Sequence, residues 1–290
     1  MMSNKVYQIV TDKIIKELQK GKIPWEKPWA GVTSVAFNRF SKQPYSLINQ
    51  ILLEVPGEYG TYKQWAGIGG QVKKGEKSSM IIFWKMLQRK EEETDEDDDE
   101  KRDCFPMLRY YNVFHISQIE GVKPLKKPET ENRVFNPIQR AEDVLNTYLH
   151  KEDIPLFLRE QNEAYYNITT DSIYLPNKTQ FRSPEDFYST AFHEAVHSTM
   201  PKKRCNRMAE NKGAQFGNEK YSKEELVAEL GSAMLRNRLG MEIRATERNT
   251  VAYIQSWMKV LKEDNKMIIS ASSRAEKAVK YILGEGEENI

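Results

Sequence analysis

Apolar positions along this chain follow two periods, and the switches between them mark its elements. From Tyr7 to Leu18 they recur at helical spacing between lysines (Tyr7, Ile9, Val10, Ile14, Ile15, Leu18), which predicts an amphipathic helix ended by Gly21. Shorter helices are predicted over Leu47–Leu53, closed by Pro56-Gly57, and over Thr61–Ile68, stopped by Gly69-Gly70. Met80–Trp84 and Leu108–Phe114 read as strands that pair as a hairpin. Helical spacing returns over Ile138–Leu149. A strand pair follows over Glu163–Leu175, turning at Thr170-Asp171. Four more helical stretches are expected, at Ser183 to about Thr199, Glu224 to about Leu239, Thr250–Leu261 and Ser273–Leu283. The element order gives an α+β fold in two domains, each with its own core. An N-terminal α+β unit spans 1–121, a Pro-, Lys- and Glu-rich linker spans 122–137, and a mainly helical domain spans 138–290.

The chemistry concentrates in the helix that begins at Ser183. Ser183-Pro184-Glu185-Asp186 reads as an N-cap, a proline at the first helical position and acids over the positive end of the dipole. Inside this helix lies His193-Glu194-Ala195-Val196-His197. Two histidines four apart share one helical face, so both can hold one metal ion, and Zn2+, one per chain, fits these ligand types. Glu194, beside them, is the expected general base for hydrolysis. A third ligand is expected from Glu224-Glu225-Leu226-Val227-Ala228-Glu229, where Glu225 and Glu229 share a helical face and Glu224 points elsewhere. The arrangement resembles the second helix of glutamate-type zincins, which implies Glu225 as metal ligand and Glu229 as the acid orienting a histidine. The reverse assignment is open. In zincins a strand ahead of the motif helix lines the cleft, which makes Ile173–Pro176 the expected substrate edge.

Charge adds a second theme. Net charge is only +2, but residues 1–90 hold 15 Lys/Arg against 6 Asp/Glu, a net of +9. Residues 91–100 hold nine acids, a density that cannot pack, so a disordered loop over 90–103 is expected. Cations interleaved with aromatic rings suit single-stranded nucleic acid, where charges neutralise phosphates and rings stack on bases. The residues in that pattern are Trp25, Trp29, Phe37, Arg39, Tyr45, Tyr62, Trp65, Lys73, Lys74, Lys77 and Trp84, with core burial the competing fate of each ring. The basic turn Lys73–Lys77 is the hardest of these to bury. Zinc-finger, helix-turn-helix and RRM signatures are absent, which disfavours sequence-specific readout of a duplex. Cys104 and Cys205 are isolated, so a disulfide framework is excluded. Without a signal-peptide core or a membrane-length apolar run, a cytoplasmic protein with no membrane partner is expected.

An ordered set of these segments resembles the ArdC antirestriction family. It comprises Pro24-Trp25, Pro44-Tyr45, Thr61-Tyr62-Lys63-Gln64, the run from Gly69 to Lys77, Tyr110-Tyr111-Asn112-Val113-Phe114 and Phe181 to Asp186. The histidine motif, Glu224 to Leu230 and Tyr253-Ile254-Gln255-Ser256-Trp257 complete it. The acidic run at 91–100 is not part of that pattern. The resemblance implies a single-stranded-DNA-binding N-terminal domain and a zincin-like metallopeptidase domain, carried on plasmids and other mobile elements and protecting incoming DNA from host restriction. It also implies His193, His197 and Glu225 as metal residues, Glu194 as base, and a protein substrate such as a restriction enzyme or repressor. Three functions compete. One is a DNA-binding protector whose zinc site is structural or vestigial. Another is an active zinc protease of a host or element-encoded protein, with DNA binding only for localisation. The third is a module that blocks nucleases by occupancy.

Overall fold

The computed structural model describes residues 2–25, 35–53, 55–88, 104–125, 137–207, 219–241 and 250–285. It is α+β in two domains. Helix α1 (Met2–Gln19) is followed by strand β1 (Ala36–Asn38), helix α2 (Leu47–Leu52), strand β2 (Gly57–Gly60), helix α3 (Tyr62–Gly67) and strand β3 (Gln71–Val72). Then come the long strands β4 (Ser79–Gln88) and β5 (Cys104–His115) and the short β6 (Ile119–Glu120). β4 and β5 form the expected antiparallel hairpin, in register from Ser79 opposite Val113 to Gln88 opposite Cys104. β2, antiparallel to β5, and β1, parallel to β2, extend it into a mixed sheet of order β1-β2-β5-β4, while β3 pairs with β6. β1, β2, β3 and β6 have at most four residues, too few for an alternation to be read from sequence. The acidic run 91–100 and most of 122–137 lie outside the described residues.

The second half opens with helix α4 (Pro137–Lys151) and strands β7 (Leu156–Arg159), β8 (Tyr165–Asn167) and β9 (Ser172–Pro176). Helices α5 (Pro184–Ser198), α6 (Glu219–Arg238), α7 (Thr250–Glu263) and α8 (Met267–Leu283) complete the fold. The three strands are ordered β7-β9-β8, with β7 parallel and β8 antiparallel to β9. This corrects the expected substrate edge. The strand lies in the middle of the sheet: Ile173 and Tyr174 are paired on both sides, while Leu175 and Pro176 pair with β7 alone, so the edge turned away from β8 belongs to β7. The four-residue β7, which the sequence pattern did not reveal, covers the side that otherwise would be open.

The expectation of two separate cores also needs correction. Val10, Ile14 and Leu18 of α1, Ile48 and Leu52 of α2, and Ile82 and Leu108 of the hairpin belong to one apolar cluster with Phe187, Val196, Leu226, Ala275 and Val279. α1 packs on α7, and α2 packs on α8. Thr11 Oγ1 donates to the Asn265 carbonyl at 2.8 Å, and the Leu47 N–H donates to the Glu276 carboxylate at 3.1 Å. A smaller cluster of Ala36, Tyr45, Leu53, Tyr59, Ile81 and Val113 lies on the N-terminal sheet. Apolar stripes on α1 and α2 thus found their partners in the C-terminal helices, which periodicity along the chain cannot specify.

Candidate metal centre

The centre is built on α5. Its entry is fixed by Ser183, whose hydroxyl accepts from the Asp186 N–H at 3.2 Å, with Pro184 in the first turn and Glu185 and Asp186 at the positive end of the dipole. Phe187, Ala191 and Ala195, four apart, bury one face in the core. α6 crosses α5 closely because position 231 is glycine: a Cβ there would lie 2.7 Å from Val196 Cγ2. That approach brings the acids of α6 to the histidines of α5.

His193 and His197 turn their Nε2 atoms toward one point, 3.1 Å apart. Glu225 closes the triangle, with Oε2 3.4 Å from His193 Nε2 and Oε1 3.3 Å from His197 Nε2. These three residues can hold a metal ion, their ligand atoms all lying within 4.8 Å of one another. Glu229 faces the other nitrogen of His193, Nδ1, at 3.7 Å. Glu224 faces His197 Nδ1 at 3.6 Å. The reading that Glu224 points elsewhere is therefore corrected. Neighbouring residues on a helix diverge by about 100°, but α6 runs antiparallel to α5, and that divergence lets Glu224 reach one imidazole while Glu225 reaches the central point.

Arg207, absent from the sequence-level expectations, locks this arrangement. Its guanidinium donates to both Glu224 oxygens, at 2.7 and 3.2 Å, to Thr199 Oγ1 at 2.7 Å and to the Val196 carbonyl at 3.0 Å. It therefore caps the C-terminal end of α5 and positions the acid that faces His197. A second buried guanidinium, Arg204, donates to Asp171, Glu152 and the Ser198 carbonyl, tying α5 to α4 and to the turn before β9. No local motif marks either arginine, because their partners are remote in sequence or are backbone carbonyls.

The electrostatics suit a cation. Burial alone would lower both imidazole pKa values, but the facing carboxylates outweigh it, holding His193 above its ordinary value and pushing His197 up to about 10. Burial would likewise raise Glu224 and Glu225, but the histidines, and Arg207 for Glu224, hold both below the usual carboxylate range. The pocket thus concentrates negative charge on imidazoles whose neutral form is a metal ligand. Glu194 is buried beside them, and its carboxylate has no hydrogen-bond partner among the described residues.

The residues singled out for DNA binding separate by burial. Trp25, Tyr45 and Trp65 are buried, the last donating its indole N–H to the Phe114 carbonyl at 3.0 Å, so these rings are core and offer no stacking face. Arg39 pairs with Glu58 and lies over the Trp65 ring, its charge already compensated. Phe37 is half-buried. Tyr62, in the first turn of α3, is 61% exposed, and Trp84 is also exposed. Lys73, Lys74 and Lys77 lie on an exposed turn around Gly75 (φ 88°), with Lys73 Nζ donating to the Ser117 carbonyl. Trp29 falls outside the described residues. Among the described residues no helix is long and apolar enough to cross a membrane.

Comparison with known proteins agrees with this geometry. Residues 4–114 match the family described as the N-terminal domain of anti-restriction factor ArdC, and residues 144–274 match the zincin-like metallopeptidase family. The chain is 33% identical over 98% of its length to a DNA primase TraC of Escherichia coli, but spans only 27% of that protein. The metal-free crystal structure of the antirestriction protein ArdC from plasmid R388 superposes with a TM-score of 0.75 at 30% identity, covering 96% of this chain and 97% of that one. The Mn(II)-bound structure of the same protein gives 0.72 at 29% identity, covering 98% and 99%. An ArdC-type N-terminal half, a zincin-like domain carrying the histidine motif and a likeness spanning nearly both chains make this protein a member of the ArdC antirestriction family.

Proposed function

We propose that this protein shields incoming DNA of a mobile element from host restriction in the cytoplasm. In this reading a domain over 1–121 binds single-stranded DNA non-specifically, and a domain over 138–290, joined through 122–137, holds one Zn2+ at His193, His197 and Glu225. The observation that carries the metal half is the convergence of two imidazole nitrogens and one carboxylate, with separations of 3.1 to 3.4 Å. Donors around a tetrahedral ion with bonds of about 2.1 Å are roughly 3.4 Å apart, which supports the fit. The manganese-bound R388 ArdC supports a divalent cation without choosing its identity.

When bound, the ion supplies Lewis acidity for hydrolysis. The chain's own groups do the rest. Glu224 and Glu229 fix the ring orientation and tautomer of His197 and His193. Glu194 accepts a proton from water and returns it to the leaving amine. Because Glu194 is buried beside the ligands with no competing hydrogen bond among the described residues, the second reading is an active protease cleaving a host or element-encoded protein, such as a restriction enzyme or repressor. The test measures metal content and peptide hydrolysis on purified full-length protein. One divalent ion per chain, lost in His193→Ala, is expected. Glu194→Gln should retain the ion and lose any hydrolysis by a factor of at least about a hundred. A metal content unaffected by His193→Ala would overturn the assignment. Undiminished hydrolysis in Glu194→Gln would remove the base from the mechanism.

A further inference from the structure

The hairpin of β4 and β5 carries a row of aromatic rings that begins in the core and ends in solvent. Ile81 lies opposite Tyr111 and Phe83 opposite Arg109, so these four side chains share one face of the sheet with Lys85, two residues past Phe83. The row starts at buried Tyr59, whose ring is 6.3 Å from that of buried Tyr45. Phe83 follows 6.2 Å from Tyr45, and Tyr111 follows 6.2 Å from Phe83. Phe83 is 45% exposed and Tyr111 39% exposed, while Arg109 and Lys85 beside them are exposed.

Two features make this row more than an accidental patch. First, it is rigid. Asn49 clamps the backbone of Ile82 from both sides, donating to its carbonyl and accepting from its N–H at 2.8 Å each, which fixes the strand beneath Phe83. Rings held by buried neighbours lose little conformational freedom when something stacks on them. Second, it has one sign of charge. No Asp or Glu occurs from Lys77 to Gln88 or from Cys104 to Ile119. Protein-docking patches are depleted in lysine at their centre and ringed by mixed polar groups. Flat rings set among cations, with no carboxylate on either strand there, complement stacked bases and phosphates.

The geometry points to this face as a base-stacking platform for single-stranded nucleic acid, with Phe83 and Tyr111 beneath bases and Arg109 and Lys85 against phosphates. The assignment rests on the DNA-binding reading above. It places binding on residues other than the buried Trp25, Tyr45 and Trp65. It is tested with full-length protein and a labelled oligothymidylate of about twenty nucleotides, by anisotropy across a salt series, with a duplex of equal length as comparison. Phe83→Ala and Tyr111→Ala should each weaken single-strand binding about tenfold, leave the salt slope unchanged and affect duplex binding less. Arg109→Gln should reduce the salt slope by about 0.7. Should an alanine variant melt early, Phe83→Leu keeps the apolar contact to Tyr45 without a stacking face and should show the same loss. Wild-type binding with all variants equally tight, or equal losses on duplex and single strand, would overturn the platform while leaving the DNA-binding reading standing. A wild type that does not bind the oligonucleotide would overturn both.

Discussion

Replacing Glu224 by Gln tests whether the acids behind the histidines set the metal affinity. The substitution keeps the shape of the side chain and removes its charge. That charge lies 3.6 Å from His197 Nδ1. Two full charges at this separation interact by about 5 kcal/mol at an effective dielectric constant near 20. Two factors reduce this figure. An imidazole bound to a cation carries only part of the charge, and Arg207, donating to the same carboxylate at 2.7 Å, opposes the effect at His197. What remains is about 1.5–3 kcal/mol, or roughly a 10- to 100-fold loss of affinity, the range usual for acids that orient metal-bound histidines. Glu229→Gln should lose less, because Glu229 is more exposed and sits 3.7 Å from His193 Nδ1. The assay is competition with a fluorescent chelator at neutral pH, alongside thermal melts to show that each variant is folded. A folded Glu224→Gln protein that holds zinc as tightly as wild type would refute the orienting role. Glu229→Gln losing more than Glu224→Gln would refute the ranking.

Two further perturbations probe the scaffold. Gly231→Ala puts a methyl 2.7 Å from Val196 Cγ2, an overpacking cost of about 1–3 kcal/mol against a helix-propensity gain of up to about 1 kcal/mol, so net destabilisation by denaturant and weaker metal binding are expected. A variant as stable as wild type would show that α5 and α6 are not in tight contact. Asp171→Asn should cost about 2 kcal/mol at pH 7, by loss of charged hydrogen bonds to Arg204. Burial would raise the Asp171 carboxyl, but hydrogen bonds from Arg204, Lys203 and Tyr166 outweigh it and hold it well below the usual range. A depressed folded-state value contributes stability above the unfolded value near 4 that fades as pH falls. The melting difference between wild type and variant should therefore shrink from pH 5 downward, and a difference that grew in acid would contradict the assignment.

Features under the control of local geometry were legible along the chain. The cap at Ser183, the two histidines one turn apart and the basic turn around Gly75 all depend on neighbours within about four residues, and they stand where spacing and turn chemistry put them. The hairpin pairing of β4 and β5 was also readable, because two short runs rich in β-branched and aromatic residues are themselves a local signal. The tertiary structure decided everything that depends on which surfaces meet. Glu224 and Arg207 became part of the centre only because α6 runs antiparallel to α5 at a distance that Gly231 permits. β9 lost its free edge to a four-residue β7, and the two expected cores merged because the stripes on α1 and α2 are covered by α7 and α8. Trp25, Tyr45 and Trp65 went inside while Phe83 and Tyr111 stayed out. An aromatic ring carries the same apolar area in either place, and only the packing of distant elements over it settles which one it occupies.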